Sequence, residues 1–133
     1  MILRVDYLAG YLLIAAIFTS NALFAADDPS IKGDKRTKIQ AAMSEMIERN
    51  TVDGVYSLYD PVKEELHHLD LVELHDGIVK KGNYYVSCAD FRNSEGKLLD
   101  LDFLVLEKDG GFIATQAVIH KADNKKRKYH LEN

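Results

Sequence analysis

The sequence predicts an α+β domain: one amphipathic helix packed on a four- to five-stranded antiparallel meander sheet. Three observations carry this. A single 3.6-residue apolar stripe runs from Ile39 to Ile47. Past Gly54 the pattern changes to alternation, which suits strands with two unlike faces. The alternating runs are separated by short turns carrying Gly82, Gly96 and Gly110, as hairpins require. The chain has 133 residues, 47% hydrophobic and 29% charged, which fits one globular domain and not a disordered one.

The first 25 residues read as an address and not as part of the domain. Arg4 precedes an apolar run from Tyr7 to Phe18, then polar Thr19-Ser20-Asn21, then the small-residue stretch ending Ala25-Ala26. This is the layout of a secretory signal peptide, with the cut expected after Ala25 and a second choice after Ala22. A spanning helix needs about 20 apolar residues, and the run is interrupted before that length. Residues 26–33, with Pro29 and Gly33, read as a flexible leader, and 34–133 as the single domain. Periplasmic or secreted localisation is the resulting expectation, with membrane contact only through an uncleaved signal segment.

The helix is expected from Asp34 to Asn50. Ile39, Ala42, Met43, Met46 and Ile47 share one face, Asp34 is placed to cap the start, and Asn50 or Asp53-Gly54 to stop it. Strands are expected at Val55–Tyr59, Leu66–Val79, Tyr84–Phe91, Leu98–Leu106 and Phe112–His120, with a last short strand through Tyr129–Leu131. Asp60-Pro61 opens a turn, because proline presets φ at the second turn position.

This element order over residues 34–131 resembles the cystatin-like and nuclear-transport-factor-2-like folds, in which a helix lies against the concave side of a curled sheet. The inhibitory Gln-x-Val-x-Gly loop of cystatins has no counterpart here, since Gln116-Ala117-Val118 lacks the spacing and the glycine. No cystatin functional residue therefore transfers. The stretches Tyr56–Pro61, Cys88–Phe91 and Leu99–Phe103 are also similar to small exported bacterial proteins of unassigned function, a resemblance that implies no chemistry.

Turn spacing sets the expected register. A two-residue turn at Lys81-Gly82 puts His75 opposite Cys88 and Glu73 opposite Asp90. A four-residue loop at Asn93–Gly96 puts Cys88 opposite Leu101 and Asp90 opposite Leu99. A turn at Asp109-Gly110 puts Leu101 opposite Val118 and Leu99 opposite His120. One face then carries His75, Cys88, Asp90 and His120, and the other carries Asp100 and Asp102. A one-residue slip in any hairpin exchanges faces.

No established catalytic motif occurs, and the chemistry has to be read from residue types. His75 beside Cys88 is the candidate catalytic pair, because a thiol needs a neighbouring base to become a nucleophile. The competing reading is a buried cysteine behaving as a small hydrophobe. His75, His120 and Asp90 are the candidate metal ligands. Asp100 and Asp102, two apart on a strand, and the basic Lys125, Lys126 and Arg127 are candidate binding residues. Seven tyrosines, among them Tyr56, Tyr59, Tyr84 and Tyr85, read chiefly as packing.

A net charge of −4 argues against a nucleic-acid partner, and one cysteine excludes an intramolecular disulfide. Both predicted sheet faces are substantially apolar, which one helix cannot cover. The functional expectation is an exported, non-enzymatic binding or structural module of the bacterial envelope, without a cofactor, acting through its sheet as a homodimer or on an envelope protein. The alternative is a small pocket-type enzyme or a metal- or ligand-binding protein using His75, Cys88, Asp90 and His120.

Overall fold

The apolar stripe and the alternating runs assemble as their periods require. The computed structural model describes residues 26–132, so the expected signal peptide lies outside the described residues. Helix α1 spans Gly33–Arg49. Seven strands follow: β1 (Thr51–Val52), β2 (Val55–Asp60), β3 (Glu65–Lys81), β4 (Tyr84–Asn93), β5 (Leu98–Lys108), β6 (Gly111–Ala122) and β7 (Lys125–Lys126). They form one antiparallel sheet in sequence order, a meander. The α+β class holds, with two-residue strands at each edge raising the count above four or five. The final strand lies at Lys125–Lys126, not at Tyr129–Leu131.

Ile39, Ala42, Met43 and Ile47 are buried and cover one sheet face. Beneath them lie Tyr56, Leu69, Tyr85, Ala89, Phe91, Leu99, Leu101, Phe103, Val105 and Ile119. Tyr56, Phe91 and Phe103 form an aromatic centre, with ring centroids 5.1 Å apart for Tyr56–Phe91 and 6.4 Å for Phe91–Phe103. Desolvation there pushes the Tyr56 phenol up to about 12.

Asp34 does not cap the helix. The cap position is Lys32, without a side-chain cap bond, and Asp34 in the first turn pairs with Lys38 at 2.8 Å. Asn50 ends the helix, its backbone and side-chain amides both donating to the Met46 carbonyl. Asp53-Gly54, the alternative stop, instead joins β1 to β2, and both residues have positive φ as a type I′ turn demands.

Of residues 26–33, expected as a flexible leader, Gly33 opens the helix and the segment before it is tied to the sheet. The Asp28 N–H donates to the Ile78 carbonyl at 2.7 Å, and the Ile78 N–H donates to Asp27 Oδ1 at 3.0 Å. Arg36 donates to Asp27 Oδ1 at 2.7 Å and to the backbone oxygens of Ile31, Asp28 and Asp76. These bonds hold the Asp27 carboxyl below its ordinary pKa, the Ile78 amide being the largest cause and Arg36 the next. Gln40 also donates to the Asp76 carbonyl, at 3.0 Å. Helix side chains thereby satisfy backbone that leaves the ladder between Leu74 and Ile78.

Register departs from expectation at three places. The β3–β4 turn is Gly82-Asn83, one residue later than Lys81-Gly82, but the irregularity between Leu74 and Ile78 restores Glu73 opposite Asp90. The β4–β5 loop is shorter than four residues. Asn93 and Lys97 close it through Asn93 N–H to Lys97 O at 3.0 Å, and Gly96 takes φ +79, the left-handed position of a three-residue hairpin loop. Cys88 consequently faces Asp102 and Asp90 faces Asp100, not Leu101 and Leu99. The Asp109-Gly110 turn forms as expected, but shifts between Leu104 and Val105 and between Asp100 and Leu101 move Leu101 opposite Ile119 and leave His120 out of the paired ladder.

Candidate functional site

The β4–β5 slip decides the chemistry of the sheet. It turns Leu99 and Leu101 inward under the helix and turns Asp100 and Asp102 onto the outer face, beside Cys88. His75, from the irregular stretch of β3, and His120, from that of β6, reach the same face. His75, Cys88 and Asp100 offer ligand atoms within 4.8 Å of one another, as do Asp100, Asp102 and His120, and Cys88, Asp102 and Glu132. Sequence reasoning grouped His75, Cys88, Asp90 and His120 and assigned the aspartate pair to the opposite face.

The C-terminal tail covers this face, and nothing in the sequence pattern signalled it. The Arg127 N–H donates to the His120 carbonyl at 2.8 Å, and the Leu131 N–H donates to Asp102 Oδ2 at 3.0 Å. The Tyr84 hydroxyl donates to the Leu131 carbonyl at 3.2 Å. The His130 ring stacks on His120 with centroids 4.6 Å apart. Glu132 Oε1 lies 3.3 Å from Cys88 Sγ. Over the Cys88 region the second sheet face is thus occupied by the chain itself.

The cluster is dense in negative charge and short of donors. Asp102 is fully buried, and the Asp100 and Glu132 side chains are 14% and 13% exposed. The Cys88 thiol has one hydrogen but two carboxylate neighbours, Asp102 Oδ1 at 3.2 Å and Glu132 Oε1 at 3.3 Å. His120 Nδ1 is 3.1 Å from Asp102 Oδ1 and 3.7 Å from both Asp100 Oδ2 and Glu132 Oε2. Despite that proximity, neither ring nitrogen of His120 makes a hydrogen bond among the described residues, and Asp100 Oδ1 and His75 Nδ1 are likewise unpartnered. His75 Nε2 approaches Asp90 Oδ2 at 3.2 Å, and Lys121 Nζ stands 4.0 Å from Asp100.

Burial drives the titration of these groups. Desolvation pushes the Asp100 carboxyl up to about 6 and raises that of Asp102, with nearby histidines opposing the shift in both. Desolvation also lowers the His130 pKa. The Cys88 thiol is driven far upward by desolvation, and the charges of Asp102, Glu132 and Asp100 add to it. A buried neighbourhood rich in carboxylates opposes the thiolate that a Cys88–His75 nucleophile requires.

A cavity of about 570 Å³ opens beside the cluster, lined by His75, Asp90 and Asp100 from the site and by Asp27, Arg36 and Glu73, among others. The other candidates lie elsewhere. Lys125 and Lys126 are exposed on β7, whereas Arg127 turns inward and grips Asp60 through two 2.7 Å bonds. Asp60 also belongs to the remaining group of potential ligands, with Glu65 and His67, and the Arg127 guanidinium already compensates its charge. His67 and His68 point to opposite faces, His67 toward Asp60 and Glu65 and His68 toward Ser57. Tyr56 and Tyr85 are core residues, while Tyr59 is exposed.

Comparison of the chain with protein-family models, with curated proteins and with solved structures gives no match.

Proposed function

We propose that the chain is an exported binding module of the bacterial envelope that holds a divalent transition-metal ion in the outer-face cluster. The observation that carries this is His120: its side chain is 6% exposed, neither ring nitrogen is hydrogen-bonded, and carboxylates of Asp100, Asp102 and Glu132 stand 3.1 to 3.7 Å from Nδ1. A buried polar ring without a partner is costly. A cation among these groups satisfies the ring nitrogen and offsets the carboxylate charge together. Mixed imidazole, thiol and carboxylate donors suit zinc, with copper competing on affinity. Export is supported by the layout of the first 25 residues and by the anchoring of Asp27 and Asp28, which a cut after Ala25 leaves intact.

Elemental analysis of the full-length chain, expressed without a His tag, is expected to find about one zinc per chain. His120→Ala is expected to weaken zinc binding at least about tenfold in a chelator competition, in line with the cost of disturbing metal-ligating histidines. Native protein that takes up no zinc, copper or cobalt at equimolar concentration overturns the reading.

Asp100 favours a second reading. A carboxyl with its pKa near 6, opposite Asp90 and facing a cavity, suits general acid–base chemistry in a small pocket enzyme. Turnover retained in metal-free protein and lost in Asp100→Asn separates it from the first.

The homodimer reading rests on apolar residues that remain exposed along β3, Leu66, Leu71, Val72 and Leu74. Light scattering after size exclusion is expected to give twice the chain mass at micromolar concentration. A single-chain mass removes that part of the proposal.

A further inference from the structure

The tail adds a carboxylate, Glu132, to the donors that the strands bring together. We infer that the C-terminal segment from Arg127 to Glu132 is a strap that closes the site as a four-ligand zinc centre, with Cys88, Asp102 and His120 from the sheet and Glu132 from the strap. The inference rests on the metal reading above and adds which atoms bind and what the ion does.

Four distances argue for it. Cys88 Sγ to Asp102 Oδ1 is 3.2 Å, Asp102 Oδ1 to His120 Nδ1 is 3.1 Å, His120 Nδ1 to Glu132 Oε2 is 3.7 Å, and Glu132 Oε1 to Cys88 Sγ is 3.3 Å. These link four side chains of three donor types, with Glu132 presenting Oε2 to His120 and Oε1 to Cys88. A tetrahedral ion with bonds of about 2.0–2.3 Å sets neighbouring ligand atoms about 3.3–3.7 Å apart. Each of the four contacts lies within a few tenths of an ångström of that spacing. The Asp102–His120 edge has the distance of a hydrogen bond but not its alignment, as two ligands of one ion do.

Surrounding contacts place the donors as a metal site needs. The Leu131 N–H holds the other Asp102 oxygen at 3.0 Å, fixing which oxygen faces Cys88 and His120. His130 stacks on His120 and fixes its plane. The bidentate Arg127–Asp60 pair pins the start of the strap to β2, outside the site, so Arg127 acts as a positioning residue and not a ligand. With four protein donors the centre has no open position, which is the pattern of zinc that holds structure together. The ion would therefore clamp the strap to the sheet.

The test uses Glu132→Gln in the full-length chain and cobalt as a spectroscopic stand-in for zinc. Native protein is expected to show intense visible bands of tetrahedral cobalt together with a thiolate-to-metal band from Cys88. Glu132→Gln is expected to keep the thiolate band, lose most of the visible intensity and bind zinc at least about tenfold more weakly. Hydrogen exchange at residues 127–132 is expected to slow on zinc addition in native protein and not in the variant. Unchanged spectrum, affinity and exchange in Glu132→Gln overturn the strap while leaving the metal site standing. Native protein that binds no metal overturns both.

Discussion

Arg127→Ala is expected to destabilise the domain by about 3–5 kcal/mol, because it strands the Asp60 carboxylate beneath the sheet with its charge uncompensated. The Asp60 side chain is 1% exposed, and its main compensation is the two-bond guanidinium clamp, with the Val62 N–H and His67 as lesser partners. Replacing both partners, Asp60→Leu with Arg127→Met, is expected to be far milder, since no buried charge remains. Thermal unfolding followed by circular dichroism separates the two. A loss below about 1 kcal/mol for Arg127→Ala shows that the pair does not hold the tail.

The same pair carries a pH signature. Arg127 holds the Asp60 carboxyl down at about 2, below the unfolded carboxylate range. A depressed acid stabilises the fold above its unfolded pKa, and that stabilisation disappears as pH falls through the folded value. Asp60 is therefore expected to contribute about 2 kcal/mol at neutral pH that is lost between about pH 4 and 2. Asp60→Asn should flatten the stability curve in that window, and an unaltered slope there contradicts the assignment.

Phe91→Ala is expected to cost about 3–5 kcal/mol, a large share of the stability of a domain this size. Phe91 is fully buried at the centre of the helix–sheet layer, 5.1 Å from the Tyr56 ring and 6.4 Å from Phe103. Its removal leaves a cavity among Met43, Ile47, Tyr56 and Phe103 in the same cluster. Leu71→Ala on the same sheet is the control: Leu71 is 47% exposed, and its removal should change stability by no more than about 0.5 kcal/mol. Equal urea midpoints for the two variants refute the placement of the core.

Those expectations rest on features of unequal visibility in the chain. The helix and its buried stripe follow from local spacing, as do the strand runs and the Asp109-Gly110 turn, because each depends on neighbours a few residues apart. Glu73 opposite Asp90 was also legible, although by a different route: the turn lies one residue later than read, and the irregularity after Leu74 compensates. Asp100 and Asp102 beside Cys88 were not legible without weighing Gly96 as the third residue of a three-residue loop, a reading its position allowed. The unpaired position of His120 and the placing of Arg127 and Glu132 left no mark in the pattern, since each depends on partners 12 to 67 residues away along the chain.

By itself, then, the sequence determined one helix, which of its residues face inward, and a train of hairpins to receive them, because backbone geometry converts local period into a buried face. Only the tertiary structure decided that Asp100 and Asp102 join His75, Cys88 and His120 on the outer face and that the tail brings Glu132 to them. Side chains alternate with period two, so a single residue of loop length, or one residue leaving the ladder, moves a carboxylate from one side of the sheet to the other. That choice is made by packing across the whole layer, where Leu99, Leu101 and Phe103 fill the space beneath Met43 and Ile47 and turn the aspartates outward.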